Sequence, residues 1–162
     1  MTHVIGVDLS YTATGIAWPD GQDIFCTSDQ DGEPYERAST IAEHVGHYAD
    51  QADIIVIEAG VYLSHSAFML GTLHGLVYNR LHGQRVLKVP PSNVKQYATG
   101  GGRAGKTEMI VAAREVLGYR GLDDNEADAL WIRALGHAML GEPLADMPPR
   151  NRKALAKLEL PA

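Results

Sequence analysis

A single cysteine, Cys26, serves the whole chain of 162 residues, so no internal disulfide can staple the fold. That scarcity fits a reducing, cytoplasmic setting. No apolar run approaches the roughly 20 residues that a membrane-spanning helix needs. The opening Met1-Thr2-His3-Val4-Ile5 lacks the charged-then-apolar pattern of a secretory signal. Basic residues are also short: 14 Lys and Arg face 20 Asp and Glu, giving a net charge of -6 and a pI near 5.6. Phosphate backbones reward Lys and Arg, so this balance argues against a passive nucleic-acid binder. It argues less against an enzyme whose carboxylates are neutralised by bound divalent cations. Zinc has no obvious ligand set. His44 and His47 lie three apart on a polar helical segment, and His3, His65, His74, His82 and His137 are scattered.

What is present suits one compact domain, with 45% hydrophobic residues and a mean hydropathy of -0.15. Apolar residues in Thr2–Asp8 predict a buried strand. Thr12–Trp18 predicts a second strand, and the Asp20-Gly21 turn leads into a third at Ile24–Thr27. Helical spacing of Ile41, Ala42, Val45 and Tyr48 predicts a helix from about Pro34 to Asp50. The continuous run Ile54-Ile55-Val56-Ile57 suits a strand covered on both faces. A helix over Ser64–His82, a strand over Arg85–Val89 and a short helix over Ser92–Tyr97 follow. Helices over Lys106–Leu117 and Asp123–Leu140 complete the core. Met69, Leu70, Leu73 and Leu76 read as packing residues, at a dimer interface if paired helices meet. The order predicts an α/β fold with a five-stranded mixed sheet, antiparallel first and then parallel, flanked by helices. Residues 142–162 form a basic, proline-containing extension, expected to be loosely held.

Three carboxylates end apolar elements. Asp8 closes the first strand, at the carboxyl edge where ligand sites of open α/β sheets gather. A turn-forming role suits it equally, because Ser10 and Thr12 follow. Glu58 closes the buried Ile54–Ile57 run, where an unpaired charge is uncommon. Asp128 sits a turn inside the last long helix between Ala127 and Ala129, on one face with Asn125 and Asp124. Asp123 and Glu126 have capping-box spacing, with Leu122 placed as a staple. Hard cations such as magnesium take oxygen ligands, and a pair of them can drive phosphodiester hydrolysis. Such chemistry needs converging acids and no cysteine or histidine.

These residues resemble the RuvC-type Holliday-junction resolvases of the ribonuclease H-like superfamily. Ile5-Gly6-Val7-Asp8-Leu9-Ser10-Tyr11-Thr12-Ala13-Thr14-Gly15-Ile16-Ala17 is similar to that family's first hairpin, and Ile54–Glu58 to its second catalytic strand. Val89–Gln96 and Thr99–Lys106 resemble its segment with two DNA-facing lysines, and Ala127-Asp128-Ala129-Leu130 its final acidic helix. The blocks run in order over roughly residues 4 to 140. The resemblance implies a nuclease domain over residues 1–141, acting as a homodimer that cuts four-way DNA junctions with two Mg2+ ions, which Mn2+ replaces. It implies Asp8, Glu58 and Asp128 as metal ligands, and Lys95 and Lys106 as phosphate contacts near the scissile bond. Arg103 and Lys88 would add to that basic track, whose bland alternative is simple solvation. One departure stands out: the family often carries an Asp where this chain has Asn125, so Asp124 or Asn125 is the candidate fourth ligand. Tyr62 is the nearest aromatic to the junction wedge that the family often places after its second acid, and a core role fits it as well.

Two other patterns compete. Gly100–Thr107 formally satisfies the phosphate-loop pattern of nucleotide hydrolases, which requires a preceding buried strand. The first block also resembles the phosphate loop of actin-like sugar and acetate kinases, which need two such domains. The remaining alternatives to a nuclease are a non-catalytic junction-binding module and a nucleotide-binding protein using Lys106 and Thr107.

Overall fold

A computed structural model of the chain describes residues 1–60 and 67–162. The strands are β1 (Val4–Asp8), β2 (Ala13–Trp18), β3 (Gly21–Cys26), β4 (Ile54–Glu58) and β5 (Val86–Val89). The helices are α1 (Pro34–Ala49), α2 (Ala67–Arg80), α3 (Pro91–Thr99), α4 (Lys106–Leu117), α5 (Asp124–Met139) and the short α6 (Pro149–Arg152). One sheet holds all five strands in the order β3-β2-β1-β4-β5. The first three pair antiparallel, while β4 joins β1 and β5 joins β4 in parallel. This is the mixed sheet expected from the element order.

Side-chain alternation along the strands builds two cores. Ile5, Val7, Ile55 and Ile57 pack with Ile41, Val45, Leu73 and Val77 of α1 and α2. Val4, Ile54, Val56, Leu87 and Val89 face the other way, against Tyr97, Trp131, Ile132 and Leu135. Trp131 donates its indole N–H to the Met109 carbonyl, tying α5 to α4.

Two helices end as the local sequence dictates. Gly100 and Gly118 close α3 and α4 in the left-handed region at φ 80° and 70°, which glycine reaches without strain. At the start of α5, Asp123 accepts from the Asn125 and Glu126 amides. The reciprocal half of the expected capping box is absent, because Glu126 instead takes the Tyr119 hydroxyl and that hydroxyl accepts from the Asp123 amide. Leu122 is 78% exposed and staples nothing.

The expectation of a loosely held tail is corrected. Met147, Asn151 and Ala154 are buried, and Asn151 Nδ2 donates to the Tyr97 and Ala98 carbonyls at 2.8 and 3.3 Å. Asn93 Nδ2 donates back to the Ala154 carbonyl at 2.6 Å. The tail thereby satisfies carbonyls at the carboxyl end of α3 that the helix cannot bond itself. Among the described residues no helix is long and apolar enough to cross a membrane.

Candidate active site

Parity places the first two acids on one face. Val4, Gly6 and Asp8 alternate on β1 with Ile5 and Val7, and Ile54, Val56 and Glu58 do so on β4. The parallel register aligns Val7 with Ile57, so Asp8 and Glu58 end neighbouring strands at the same edge, on the face covered by α5.

Glycines let α5 come close enough to add the third acid. A methyl group on Gly6 would fall 2.3 Å from the Ala129 carbonyl oxygen, and one on Gly15 would fall 2.2 Å from that of Asn125. Farther along, the missing side chain is on the helix, where Gly136 lies against Val56. Asp128 therefore sits on a helix pressed onto the strand that carries Asp8. The turn after Asp8 is fixed independently. The Thr14 hydroxyl donates to the Ser10 carbonyl at 2.7 Å, and the buried Arg37 donates to the Tyr11 carbonyl at 3.0 Å.

The three acids feel one another. Burial is the main force pushing Asp8 up to about 7, with Asp128 and Asp124 adding repulsion and Lys106 opposing it. Burial likewise raises Glu58 to about 8, reinforced by Asp8 and Asp128 and opposed by Lys95. Asp128 rises to about 6, first through burial and then through Asp124, with Lys95 and Lys106 pulling the other way. Buried like charges that cannot all ionise alone are a mark of functional sites. Asp128 Oδ1 is buried and has no hydrogen-bond partner. A buried oxygen of this kind is costly unless something else satisfies it.

These oxygens match a hard divalent cation in chemical class. They do not form a finished cage: among the described residues no three His, Cys, Asp or Glu side chains are grouped as ready metal ligands. Asp8, Glu58, Leu70, His74 and Pro91 line a cleft of about 220 Å³ at the strand edge. His74, buried and 3.4 Å from the Tyr78 hydroxyl through Nδ1, had been assigned no site role from sequence. As one of several scattered histidines it carries no spacing signal that sets it apart.

The other sequence candidates separate. Lys106 opens α4 and forms an ion pair with Asp124, so both stand beside the acids. Lys95 on α3 interacts with Glu58 and Asp128. Asn125 donates its side-chain amide to the cap residue Asp123 at 3.2 Å, whereas Asp124 interacts with Asp8 and Asp128. Arg103 is exposed in the glycine-rich connection between α3 and α4. Lys88 points to the opposite sheet face, its ammonium 3.9 Å from the Tyr78 ring centroid on α2. Strand alternation turns it away from the acids. Tyr62 lies outside the described residues. The Gly100–Lys106 stretch follows helix α3 rather than a strand, so the setting that a nucleotide phosphate loop needs is missing.

No family model matches the chain. It is 38% identical over 106 residues to a crossover junction endodeoxyribonuclease RuvC of Anaeromyxobacter dehalogenans strain 2CP-1, covering 57% of each chain. It is 47% identical over 70 residues to the protein of the same description in strain 2CP-C, covering 41% of this chain and 37% of that one. The chain thus matches little more than half the length of these curated relatives at most. Among solved structures it is similar to Thermus thermophilus RuvC, with a TM-score of 0.69 and 23% identity over 90% of this chain and 99% of that one. The T. thermophilus RuvC in complex with a Holliday junction substrate gives a TM-score of 0.72 and 24% identity, over 91% and 100%. The chain thus shares the ribonuclease H-like fold of these structures over nine-tenths of its length, and over 57% of it is similar in sequence to a RuvC relative.

Proposed function

We propose that the chain is a structure-selective endodeoxyribonuclease that resolves Holliday junctions or related branched DNA. The observation that carries this reading is the electrostatic coupling of Asp8, Glu58 and Asp128 at one sheet edge. Its relatives' names and the junction-bound neighbour support the substrate class. Residues 1–141 would form the nuclease unit and residues 142–162 an accessory segment. A homodimer would match the two-fold symmetry of a four-way junction.

Asp8, Glu58 and Asp128 would hold the metal, with Asp124 favoured over Asn125 as a fourth donor. Two Mg2+ ions, or Mn2+ in their place, would supply Lewis-acid charge at the attacking and leaving oxygens of the phosphodiester. The chain's own contributions follow from its geometry. The acids must release protons before they can ligate, so loading strengthens as pH rises. A DNA phosphate would add oxygens to those the carboxylates supply. Lys95 and Lys106 would balance the phosphate charge beside the acids.

A labelled four-way junction, fork, flap and plain duplex, each incubated with Mg2+ and with wild type or Asp8→Asn, test the reading. Wild type should cut the junction preferentially, and the variant should be at least about a hundredfold slower, a loss of about 2.7–4 kcal/mol. Equal activity of the two, or none from either, refutes it. The bond between Asn125 and Asp123 favours a second reading, a junction-binding module without catalysis. Tight junction binding with no cleavage in Mg2+ or Mn2+ would select that one.

A further inference from the structure

The basic tail has no part in the chemistry above, yet it is docked on α3, the helix that carries Lys95. Residues 149–162 carry four cations, Arg150, Arg152, Lys153 and Lys157, against the single acid Glu159, in a chain of net charge -6. Arg150 belongs to α6, whose neighbour Asn151 is buried and bonded to the last carbonyls of α3. Gln96 of α3 donates to the Arg150 carbonyl at 3.4 Å. The Arg150 side chain lies across Gly100: a methyl group there would fall 2.5 Å from Arg150 Nε. Arg152 leans toward Asp146 at 3.9 Å, whereas Arg150 is exposed and forms no ion pair among the described residues.

The same end of α3 leads to the other cations. Lys95 stands one turn before Thr99, whose hydroxyl bonds the Lys95 carbonyl and accepts from the Gly101 amide. The connection then passes Arg103 and reaches Lys106 at the start of α4. An unpaired guanidinium held over this backbone has the donor geometry for a phosphodiester oxygen pair.

We infer that Arg150 is a DNA-backbone contact, extending the Lys95–Lys106 surface so that the docked tail grips the phosphates of a duplex arm next to the cut site. The inference rests on the DNA-cleaving reading above. It gives the tail's burial a purpose: Asn151 fixes α6 so that Arg150 stands over Gly100 at the end of α3.

Four-way-junction affinity measured by fluorescence anisotropy without divalent ions, across a salt series, tests it. Arg150→Ala should raise Kd roughly threefold to tenfold and lower the slope of log Kd against log salt by about 1. Arg150→Lys should restore most of the salt slope. Arg85→Ala removes an exposed arginine that donates to the Pro161 carbonyl, and it should bind as wild type does. Unchanged Kd and slope in Arg150→Ala, with wild type binding and cutting normally, overturn this inference alone. Wild type that neither binds nor cuts the junction overturns the nuclease reading as well. An equal loss in Arg85→Ala would show a general charge effect and also overturn it.

Discussion

Gly6 lies so close to Ala129 that a single methyl on it would reach within 2.3 Å of the helix carbonyl. Ala129 follows Asp128, so this contact sets how near the third acid comes to the sheet edge. Gly6→Ala should push α5 outward. The expected cost is about 1–3 kcal/mol of stability, as for overpacked cores, with Tm falling roughly 2–4 °C per kcal/mol. Gly71 on α2 has nothing within 4 Å of an added methyl, so Gly71→Ala should leave Tm unchanged or raise it. Calorimetry on both variants checks the contrast.

Above neutral pH, stability without divalent cations should fall as pH rises. Asp8, Glu58 and Asp128 hold their protons in the folded state up to about 7, 8 and 6, while ordinary carboxyls release theirs near 3.8 to 4.5. Between about pH 4 and pH 8 these three acids bind more protons in the folded chain than in the unfolded one, and their contribution to stability declines with pH. Thermal melts in EDTA at pH 7.0 and 8.5 should show the lower Tm at 8.5, because His44, His74 and His137, whose pKa values burial lowers, are mostly neutral in both states over that interval. Adding Mg2+ or Mn2+ at pH 8.5 should recover part of it. A Tm that rises with pH in EDTA would contradict the coupling.

Neutral replacements of the acids should separate stability from activity. Asp8→Asn, Glu58→Gln and Asp128→Asn each remove one repelling charge, so each should flatten that pH decline. Each should also lose at least about a hundredfold in junction cleavage while still binding the junction. A variant that cuts normally would remove its residue from the site.

The Lys106–Asp124 ion pair is solvent-exposed on the lysine side, so breaking it should shift stability by no more than about 1 kcal/mol. Lys106→Ala should nonetheless slow cleavage, because Lys106 opposes the charge of Asp8 and Asp128. Loss of stability in proportion to loss of rate would make the lysine merely structural.

Much of this was legible in the chain itself. The apolar runs ending in Asp8 and Glu58 announced two buried strands, while the parallel register that sets both acids on one face is seen only in the fold. The helix over Lys106–Leu117 lies where its periodicity predicted. Other features depend on tertiary contact. Nothing local says that Gly6 and Gly15 accept a helix, or that Asn151 seals the end of α3. Lys88 was grouped with Lys95 and Lys106 by nearness in sequence, yet strand alternation sends it to the α2 face. Tyr119 displaces the expected capping partner of α5 because it arrives from a different turn.

A crystal of the chain with an uncleavable four-way junction and Mn2+, recorded at the manganese edge, addresses the shared-cation claim directly. Anomalous peaks between the carboxylates of Asp8, Glu58 and Asp128, with Asp124 alongside, are the predicted result. Manganese bound elsewhere while these three side chains hold only water or protein hydrogen bonds would contradict it.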